Sequence, residues 1–302
     1  MVEHRLAVLG SPIAHSLSPA LHAAAYSAMG LDWEYTAVEV AEGELNTFLD
    51  GLTPEWLGLS LTMPLKHEVQ PRLDDVDRIA VLTGSVNTVR FTALPDGSRT
   101  VTGYNTDVPG LVRALAEVGI DQATHVTVLG AGATAASAVA AAAELGAESV
   151  EIIARTPERA EPLTALARQL GLVATVRGLS TIADTDRVSD LVISTMPGDA
   201  ALPVEFPASV RAAAPLFDVG YSPWPTALAG SWTAAGGRAS SGRTMLLHQA
   251  LIQIRIFVGN DPFLPLPDEE AVLQAMRAAL PDGAVPDGAV TDGAVTDRAV
   301  EG

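Results

Sequence analysis

One stretch, residues 125–155, constrains the fold of this chain more than any other. It contains an apolar strand, HVTVLG, then the turn AGATA, an alanine-rich helix that stops at Gly146, and a second apolar strand, VEIIAR. Strand, glycine turn, helix and strand make one βαβ unit, which requires a parallel sheet with helices packed on its faces. The sequence therefore predicts a doubly wound α/β sheet in this part of the chain.

The turn inside this unit has the residues of a dinucleotide-binding site. Gly130 permits a tight turn, Gly132 lets the backbone approach a pyrophosphate, and Ala135 completes the pattern G-x-G-x-x-A. The helix that follows directs free N–H groups at the negative charge. An ordinary turn rich in small residues is the alternative. The predicted cofactor contacts here are Gly130, Ala131, Gly132, Ala133 and Thr134.

The end of the second strand indicates which dinucleotide binds. NAD-binding units usually have an acidic residue there for the ribose 2′-hydroxyl, and its charge would repel a 2′-phosphate. This chain has Ala154, Arg155 and Thr156, with Arg159 one turn on. Guanidinium forks and a hydroxyl suit a phosphate. These four residues predict NADP as the cofactor, and solvated surface arginines are the alternative.

The length of 302 residues favours two domains, since one hydrophobic core rarely organises so many. Strands and helices alternate from the start of the chain, and turn residues at 95–98 predict a hairpin between strands at 86–93 and 100–105. Ser18 is the expected N-cap, and Pro19 the first residue, of a helix that ends at Gly30.

We therefore expect an N-terminal open α/β substrate-binding and catalytic domain at residues 1–105. A Rossmann-type, doubly wound NADP-binding domain is expected at 106–240, and an apolar helix within 241–280 is expected to return to the first domain. From residue 281 the chain repeats PDGAV and TDGAV, a low-complexity pattern that predicts a disordered tail over 281–302. A partner-binding role for the tail is the alternative.

Charge and composition exclude several classes of function. A formal net charge of −18 repels phosphate backbones and anionic lipid, so nucleic acid and membrane surfaces are not expected as partners. The chain has no cysteine, hence no disulfide framework or thiolate nucleophile. No histidine has zinc-like spacing, no metal site is expected, and the six histidines are predicted to be structural. We expect a cytoplasmic protein, monomeric or homodimeric, that binds a small molecule.

Two ionisable side chains follow predicted strands in the first half. Lys66 comes just after the strand at 57–62, and Asp107 comes just after the strand at 100–105. A solvated lysine and a helix N-cap are the structural alternatives. Asn87, Ser16 and Ser18 also fall at strand ends or in loops, where open α/β sheets place their ligand crevice. Such a set of polar groups suits a polyhydroxylated substrate.

The order of the motifs resembles that of the shikimate dehydrogenase family, over about residues 5–280. The matching segments are GSPIAHSLSP at 10–19, LTMPLK at 61–66, GSVNT at 84–88, NTD at 105–107, the glycine turn at 130, Arg155-Thr156, DVGYSP at 218–223 and GRTMLLHQ at 242–249.

The resemblance implies an NADP-dependent oxidoreductase that reversibly reduces 3-dehydroshikimate to shikimate in the pathway to chorismate and the aromatic amino acids. It implies that Lys66 and Asp107 form the catalytic pair and that Val219 and Gly242 lie near the nicotinamide. The substrate contacts it implies are Ser16, Ser18, Thr62, Lys66, Asn87, Asp107, Tyr221 and Gln249.

Two residues depart from the family pattern. Ser60 stands where Asn is usual, and Ala23 follows His22 where Asn is common. Neither change removes an acid or a base, but both bear on loop packing and substrate preference. An NAD-dependent quinate/shikimate dehydrogenase and a non-catalytic NADP-sensing protein are the competing hypotheses.

Overall fold

The structure is a computed structural model that describes residues 3–184, 189–198, 200, 202 and 204–281. The predicted disordered tail lies outside the described residues from position 282 onward. No helix among the described residues is long and apolar enough to cross a membrane.

The first sheet is mixed and has the strand order β2-β1-β3-β5-β6-β4. β1 pairs in parallel with β2 and β3, whereas β5 runs antiparallel to β3 and β6. The predicted hairpin is confirmed as the β5–β6 pair. The strands are β1 His4–Gly10, β2 Trp33–Glu39, β3 Trp56–Leu61, β4 Asp75–Val76, β5 Thr88–Ala93 and β6 Arg99–Tyr104.

Helices cover both faces of this sheet. On one face lie α2 Leu45–Asp50 and α3 Arg78–Thr83, and on the other lies α1 Ser18–Met29. A short 3-10 helix spans Gln70–Arg72. The predicted cap of α1 was wrong: Leu17 is the N-cap, Ser18 is already helical and no side chain caps the N-terminus. The Ser18 hydroxyl is therefore not committed to capping.

The second sheet is fully parallel, with the order β9-β8-β7-β10-β11-β12. Chain order reverses between β7 and β10, and such a switch point opens a crevice at the carboxyl ends of the strands. The predicted doubly wound domain is confirmed. Its strands are β7 His125–Leu129, β8 Ser149–Ala154, β9 Val173–Gly178, β10 Leu191–Ser194, β11 Leu216–Asp218 and β12 Ala239–Ser241.

Helices flank the second sheet as well, and the alanines of α5 pack at its centre because small side chains let a helix lie close to the strands. The helices are α4 Asp107–Glu117, α5 Ala133–Glu144, α6 Glu161–Gln169, α7 Ala208–Ala213 and α8 Ala227–Ala234, with 3-10 helices at Pro157–Ala160 and Leu179–Asp184.

After β12 the chain returns to the first sheet. α9 Arg243–Gly259 and α10 Glu269–Ala278 share an apolar core with α1 and β1. α9 also packs along α4, where a side chain at Gly110 would meet the backbone of Gln249. This contact sets the start of α4 against the start of α9, at the boundary between the two sheets.

Candidate active site

A cleft of about 300 Å³ lies between the two sheets. All eight predicted substrate contacts line it. From the second sheet's side it is lined by Thr134 at the start of α5, Val219 after β11 and Gly242 before α9. The side chains that line it from the first domain and α9 include Ser16, Ser18, Thr62, Lys66, Asn87, Asp107, Gln249 and Gln253, and Tyr221 follows β11.

Lys66 reaches this cleft from the loop that follows β3. Its backbone carbonyl accepts a hydrogen bond from Val86 N at 3.0 Å, which ties this loop to the one before β5. The residue is buried, and its Nζ lies 2.5 Å from Asp107 Oδ2. A lysine placed this way is not a solvated surface charge.

Asp107 is the first residue of α4, but it does not cap the helix. Thr106 is the N-cap residue, and the Asn105 side chain satisfies the first N–H groups of the helix: its Oδ1 accepts those of Asp107 at 2.9 Å and Val108 at 3.3 Å. Both oxygens of the Asp107 carboxylate are thereby left for side chains. Oδ2 faces Lys66, and Oδ1 accepts from Asn87 Nδ2 at 2.8 Å.

Asn87 joins the pair to the rest of the site. Its Oδ1 accepts the backbone N–H of Thr106 at 2.9 Å, which fixes which end of the amide is nitrogen. Its Nδ2 also lies 3.4 Å from Gln249 Oε1, while Gln249 Nε2 donates to Leu246 O at 3.0 Å. The Asn87 amide, just before β5, and the Gln249 amide of α9 therefore meet beside the Lys66–Asp107 pair.

Hydroxyl groups also line the cleft, among apolar side chains such as Ile13 and Met245. Ser16, Ser18, Thr62 and Tyr221 each bring one, and burial raises the pKa of Tyr221, so its phenol stays protonated. One cation, one carboxylate, hydroxyls and amides suit a small ligand with several hydroxyls and an anionic group.

The glycine turn fits a pyrophosphate. Gly130 has φ +119°, and an added Cβ would collide with Thr195 Oγ1, so the turn admits only glycine there. A Cβ on Gly132, by contrast, would meet nothing within 4 Å. The space in front of Gly132 is thus open, and no side chain caps the N-terminus of α5. Ala131 and Ala133 flank this opening.

The four residues predicted to select NADP lie at the end of the neighbouring strand. Ala154 ends β8, and Arg155, Thr156 and Arg159 follow it with exposed side chains, outside the lining of the cleft. The first two residues after the strand are a cation and a hydroxyl rather than an acid, which fits a phosphate on the ribose.

Sequence reasoning missed some features of the site. His15, predicted to be structural, lines the cleft, as does Gln253, which was not predicted at all. Ser60 bridges Tyr35 and Gln253, whereas Ala23, the other departure from the family pattern, is exposed on α1 and absent from the lining. His22 and His248 are buried, in keeping with structural roles.

A count would have pointed to Lys66. It is the one lysine in the sequence, and the other 17 of its 18 basic residues are arginines. Arginine cannot release a proton near neutral pH, whereas a lysine ammonium can. The single lysine therefore stands at a position where a transferable proton would matter.

The described residues contain no group of three or more His, Cys, Asp or Glu that could hold a metal ion. A doubly wound nucleotide sheet facing a polar cleft with a buried ammonium–carboxylate pair defines a two-domain, dinucleotide-dependent dehydrogenase.

Comparisons with known proteins specify the family of dehydrogenases to which the chain belongs. The family model described as "Shikimate dehydrogenase substrate binding domain" matches residues 8–89, and "Alanine dehydrogenase/PNT, C-terminal domain" matches 101–204. The NADP(+) shikimate dehydrogenase of Methanothermobacter thermautotrophicus is 34% identical over 88% of this chain and 95% of its own length. The chain belongs to the shikimate dehydrogenase family.

Solved structures agree. The crystal structure of Mycobacterium tuberculosis shikimate dehydrogenase superposes with a TM-score of 0.76 and 38% identity, covering 92% of this chain and 100% of that one. The Thermus thermophilus enzyme, solved in complex with NADP(H) and shikimate, gives a TM-score of 0.73 at 33% identity, with the same coverage.

Proposed function

We propose that this chain catalyses the reversible, NADPH-dependent reduction of 3-dehydroshikimate to shikimate, with Lys66 and Asp107 as its catalytic pair. One observation carries the proposal: the buried contact of 2.5 Å between Lys66 Nζ and Asp107 Oδ2, inside a cleft that residues of the second sheet also line. The Thermus thermophilus relative, crystallised with both NADP(H) and shikimate, supports the same pair of ligands.

Lys66 is the general acid of the reduction. When a ring carbonyl gains a hydride, its oxygen becomes an alkoxide that must take a proton. The Lys66 ammonium stabilises that oxygen and donates the proton, and it recovers the proton when the reaction runs backward. An arginine at this position would supply charge alone.

Asp107 holds the ammonium in position. Its Oδ2 contacts Lys66, and its Oδ1 is fixed by the Asn87 amide at 2.8 Å. A carboxylate held at both oxygens keeps Lys66 directed into the cleft. It can also accept a hydrogen bond from the substrate hydroxyl next to the carbonyl. Catalysis by a positioned pair of this kind depends on geometry set before the substrate arrives.

The remaining polar side chains of the cleft are assigned to binding the ring of the substrate. We assign Ser16, Ser18, Thr62, Tyr221, Asn87 and Gln249 to the hydroxyls and carboxylate of the substrate. Their hydroxyl and amide groups support this assignment, because each ring hydroxyl needs both a donor and an acceptor when water is excluded.

The glycine turn and the end of β8 would hold NADP. Gly130, Ala131, Gly132, Ala133 and Thr134 would face the pyrophosphate, Ala154, Arg155, Thr156 and Arg159 the ribose phosphate, and Val219 and Gly242 the nicotinamide. When bound, NADPH supplies the hydride. The close contact of Gly242 with the Val219 carbonyl, where a Cβ would not fit, gives this part of the wall a fixed shape.

A turnover assay tests the proposal. Purified protein with NADP and shikimate should produce NADPH, which is followed by its absorbance. The rate should be lower when quinate replaces shikimate or when NAD replaces NADP. Tight NADP binding without any oxidation of shikimate would contradict the proposed function.

We also propose the division of the chain into domains at 1–105 with 241–280 and at 106–240, because the first sheet ends at Tyr104 and the second spans His125–Ser241. A cytoplasmic location and the absence of a nucleic-acid partner are proposed from the missing cysteines and the net charge of −18. The proposed oligomeric state is a monomer or a homodimer, and sedimentation velocity distinguishes the two.

A further inference from the structure

A row of buried polar side chains runs from the cleft into the core of the first domain. Tyr35 OH donates to Ser60 Oγ at 2.7 Å, and Ser60 Oγ donates to Gln253 Oε1 at 2.8 Å. Gln253 Nε2 donates to Thr88 Oγ1 at 3.1 Å, and Thr88 Oγ1 donates to Asn87 Oδ1 at 2.9 Å. We refer to these five residues as the hydrogen-bond chain.

Each hydrogen bond in the hydrogen-bond chain has a fixed donor and a fixed acceptor. Asn87 Oδ1 must be an acceptor, because the backbone N–H of Thr106 donates to it. The Thr88 proton therefore points to Asn87, and the Thr88 oxygen accepts from Gln253. Gln253 Oε1 then accepts from Ser60, which accepts from Tyr35. Burial raises the pKa of the Tyr35 phenol, so it stays a donor.

Gln253 lines the cleft but has no hydrogen-bonding capacity left for a ligand. Its Oε1 also faces His22 Nε2 at 3.3 Å, and its Nε2 also faces the Asn87 carbonyl at 3.4 Å. An amide oxygen has two lone pairs and an amide nitrogen two protons, so all four are engaged. The side chain connects α1, β3, β5 and α9 rather than binding substrate.

We propose that Thr88 is a positioning residue for the reaction, which acts through Asn87 on the Lys66–Asp107 pair. The inference rests on the proposed function, in which Lys66 is the acid. Asn87 Nδ2 donates to Asp107 Oδ1, while Asn87 Oδ1 accepts from the Thr106 backbone N–H and from the Thr88 hydroxyl, each at 2.9 Å. Removing the Thr88 hydroxyl leaves the Thr106 N–H as the backbone donor to Asn87 Oδ1, so the amide can tilt about that bond, and the Asp107 carboxylate that aims Lys66 shifts with it.

Three single variants test this. Thr88→Val keeps the shape of the side chain and removes the hydroxyl, whereas Thr88→Ser keeps the hydroxyl. Tyr35→Phe removes a hydroxyl from the opposite end of the hydrogen-bond chain. Thr88→Val should lower kcat about tenfold, the scale of one lost buried hydrogen bond, with KM nearly unchanged. Thr88→Ser and Tyr35→Phe should stay within about twofold of the wild type.

A purely structural role predicts a different pattern. Thr88→Val and Tyr35→Phe each remove one buried hydroxyl, so both would lower Tm alike and leave kcat alone. Equal kcat in Thr88→Val and Thr88→Ser, or an equal loss in Tyr35→Phe, would overturn the inference.

The single lysine offers a second measurement that needs no turnover. In protein labelled with ¹³Cε-lysine, one side-chain signal reports Lys66 directly. It should move in Thr88→Val and stay in place in Thr88→Ser and Tyr35→Phe. If the signal moves as expected but the wild type fails to oxidise shikimate, the proposed function fails and the positioning stands. If the wild type is active and the signal does not move, the positioning fails alone.

Discussion

Arg155 and Arg159 are exposed just beyond β8. If they hold a ribose phosphate, Arg155→Ala should raise KM for NADP roughly tenfold to a hundredfold, the scale of one charge-assisted hydrogen bond, and leave KM for NAD almost unchanged. Initial rates with both cofactors measure this. Arg168→Ala, which removes an exposed arginine on α6, is the matched control. Unchanged discrimination between NADP and NAD would show that Arg155 is only a surface residue.

His22 is predicted to make stability depend on pH. Burial lowers its pKa from 6.5 to about 3. The folded protein keeps the ring neutral, whereas the unfolded chain takes up a proton below pH 6.5. Stability is therefore complete above 6.5 and is lost as the pH falls toward 3, by on the order of 5 kcal/mol in all.

Thermal unfolding between pH 7 and pH 3 measures this loss. His22→Gln, which keeps an amide donor toward Gln253 and does not titrate in this range, should show a shallower fall of Tm than the wild type. His15→Gln, which replaces an exposed histidine, should show the wild-type slope. Parallel curves for all three proteins would exclude His22 as the cause.

The sequence indicates some site residues better than others for a physical reason. Lys66 and Asp107 follow strands, and parallel strands bring their carboxyl ends to one edge of a sheet, so their meeting could be expected. Gln253 lies within a helix that is buried almost all round, from Leu247 to Phe257. With no polar face to set it apart, its partners depend on how α9 packs, which no local pattern encodes.

Among the elements, the packing of α4 on α9 matters most for the site. Asp107 begins α4, and Gln249 lies near the start of α9, where the two helices touch at Gly110. A Cβ on Gly110 would lie 2.7 Å from Gln249 Cβ and 2.9 Å from its backbone N, so one helix would have to move.

Gly110→Ala should therefore destabilise the fold by about 1–3 kcal/mol, the usual cost of overpacking, and raise KM for shikimate. Gly230→Ala on α8 is the control, because a Cβ there meets nothing within 4 Å and alanine favours helix. Tm and steady-state kinetics compare the two. A Gly110→Ala protein as stable and as active as Gly230→Ala would refute the role of this contact.

Helices and strands were predicted correctly where several local sequence preferences favour the same structure. The βαβ unit at 125–155 was predictable because its glycines, alanines and apolar strands each favour the same structure. The N-cap of α1 was not, because Leu17 rather than Ser18 takes that position and Ser18 turns to the cleft instead. Preferences for residues at helix ends do not predict the position of a side chain that faces a cleft instead of the helix N-terminus.

At the scale of the whole molecule, the chain passes between the two sheets twice, after Tyr104 and after Ser241. With most of the proposed substrate contacts beside the first sheet and the glycine turn on the second, we expect the cleft to close when both ligands bind. Small-angle scattering should give a smaller radius of gyration with NADP plus shikimate than with NADP alone. Identical profiles would exclude a large closure.

The central claim is that Lys66 supplies the proton from a position that Asp107 holds. Its most direct test is kcat for NADPH oxidation with 3-dehydroshikimate in Lys66→Ala, with Lys66→Arg alongside to separate charge from proton. The account predicts that kcat falls by ~10²–10⁴ in Lys66→Ala, with little change in KM, and that arginine does not restore it. A Lys66→Ala enzyme with near wild-type kcat would contradict the account.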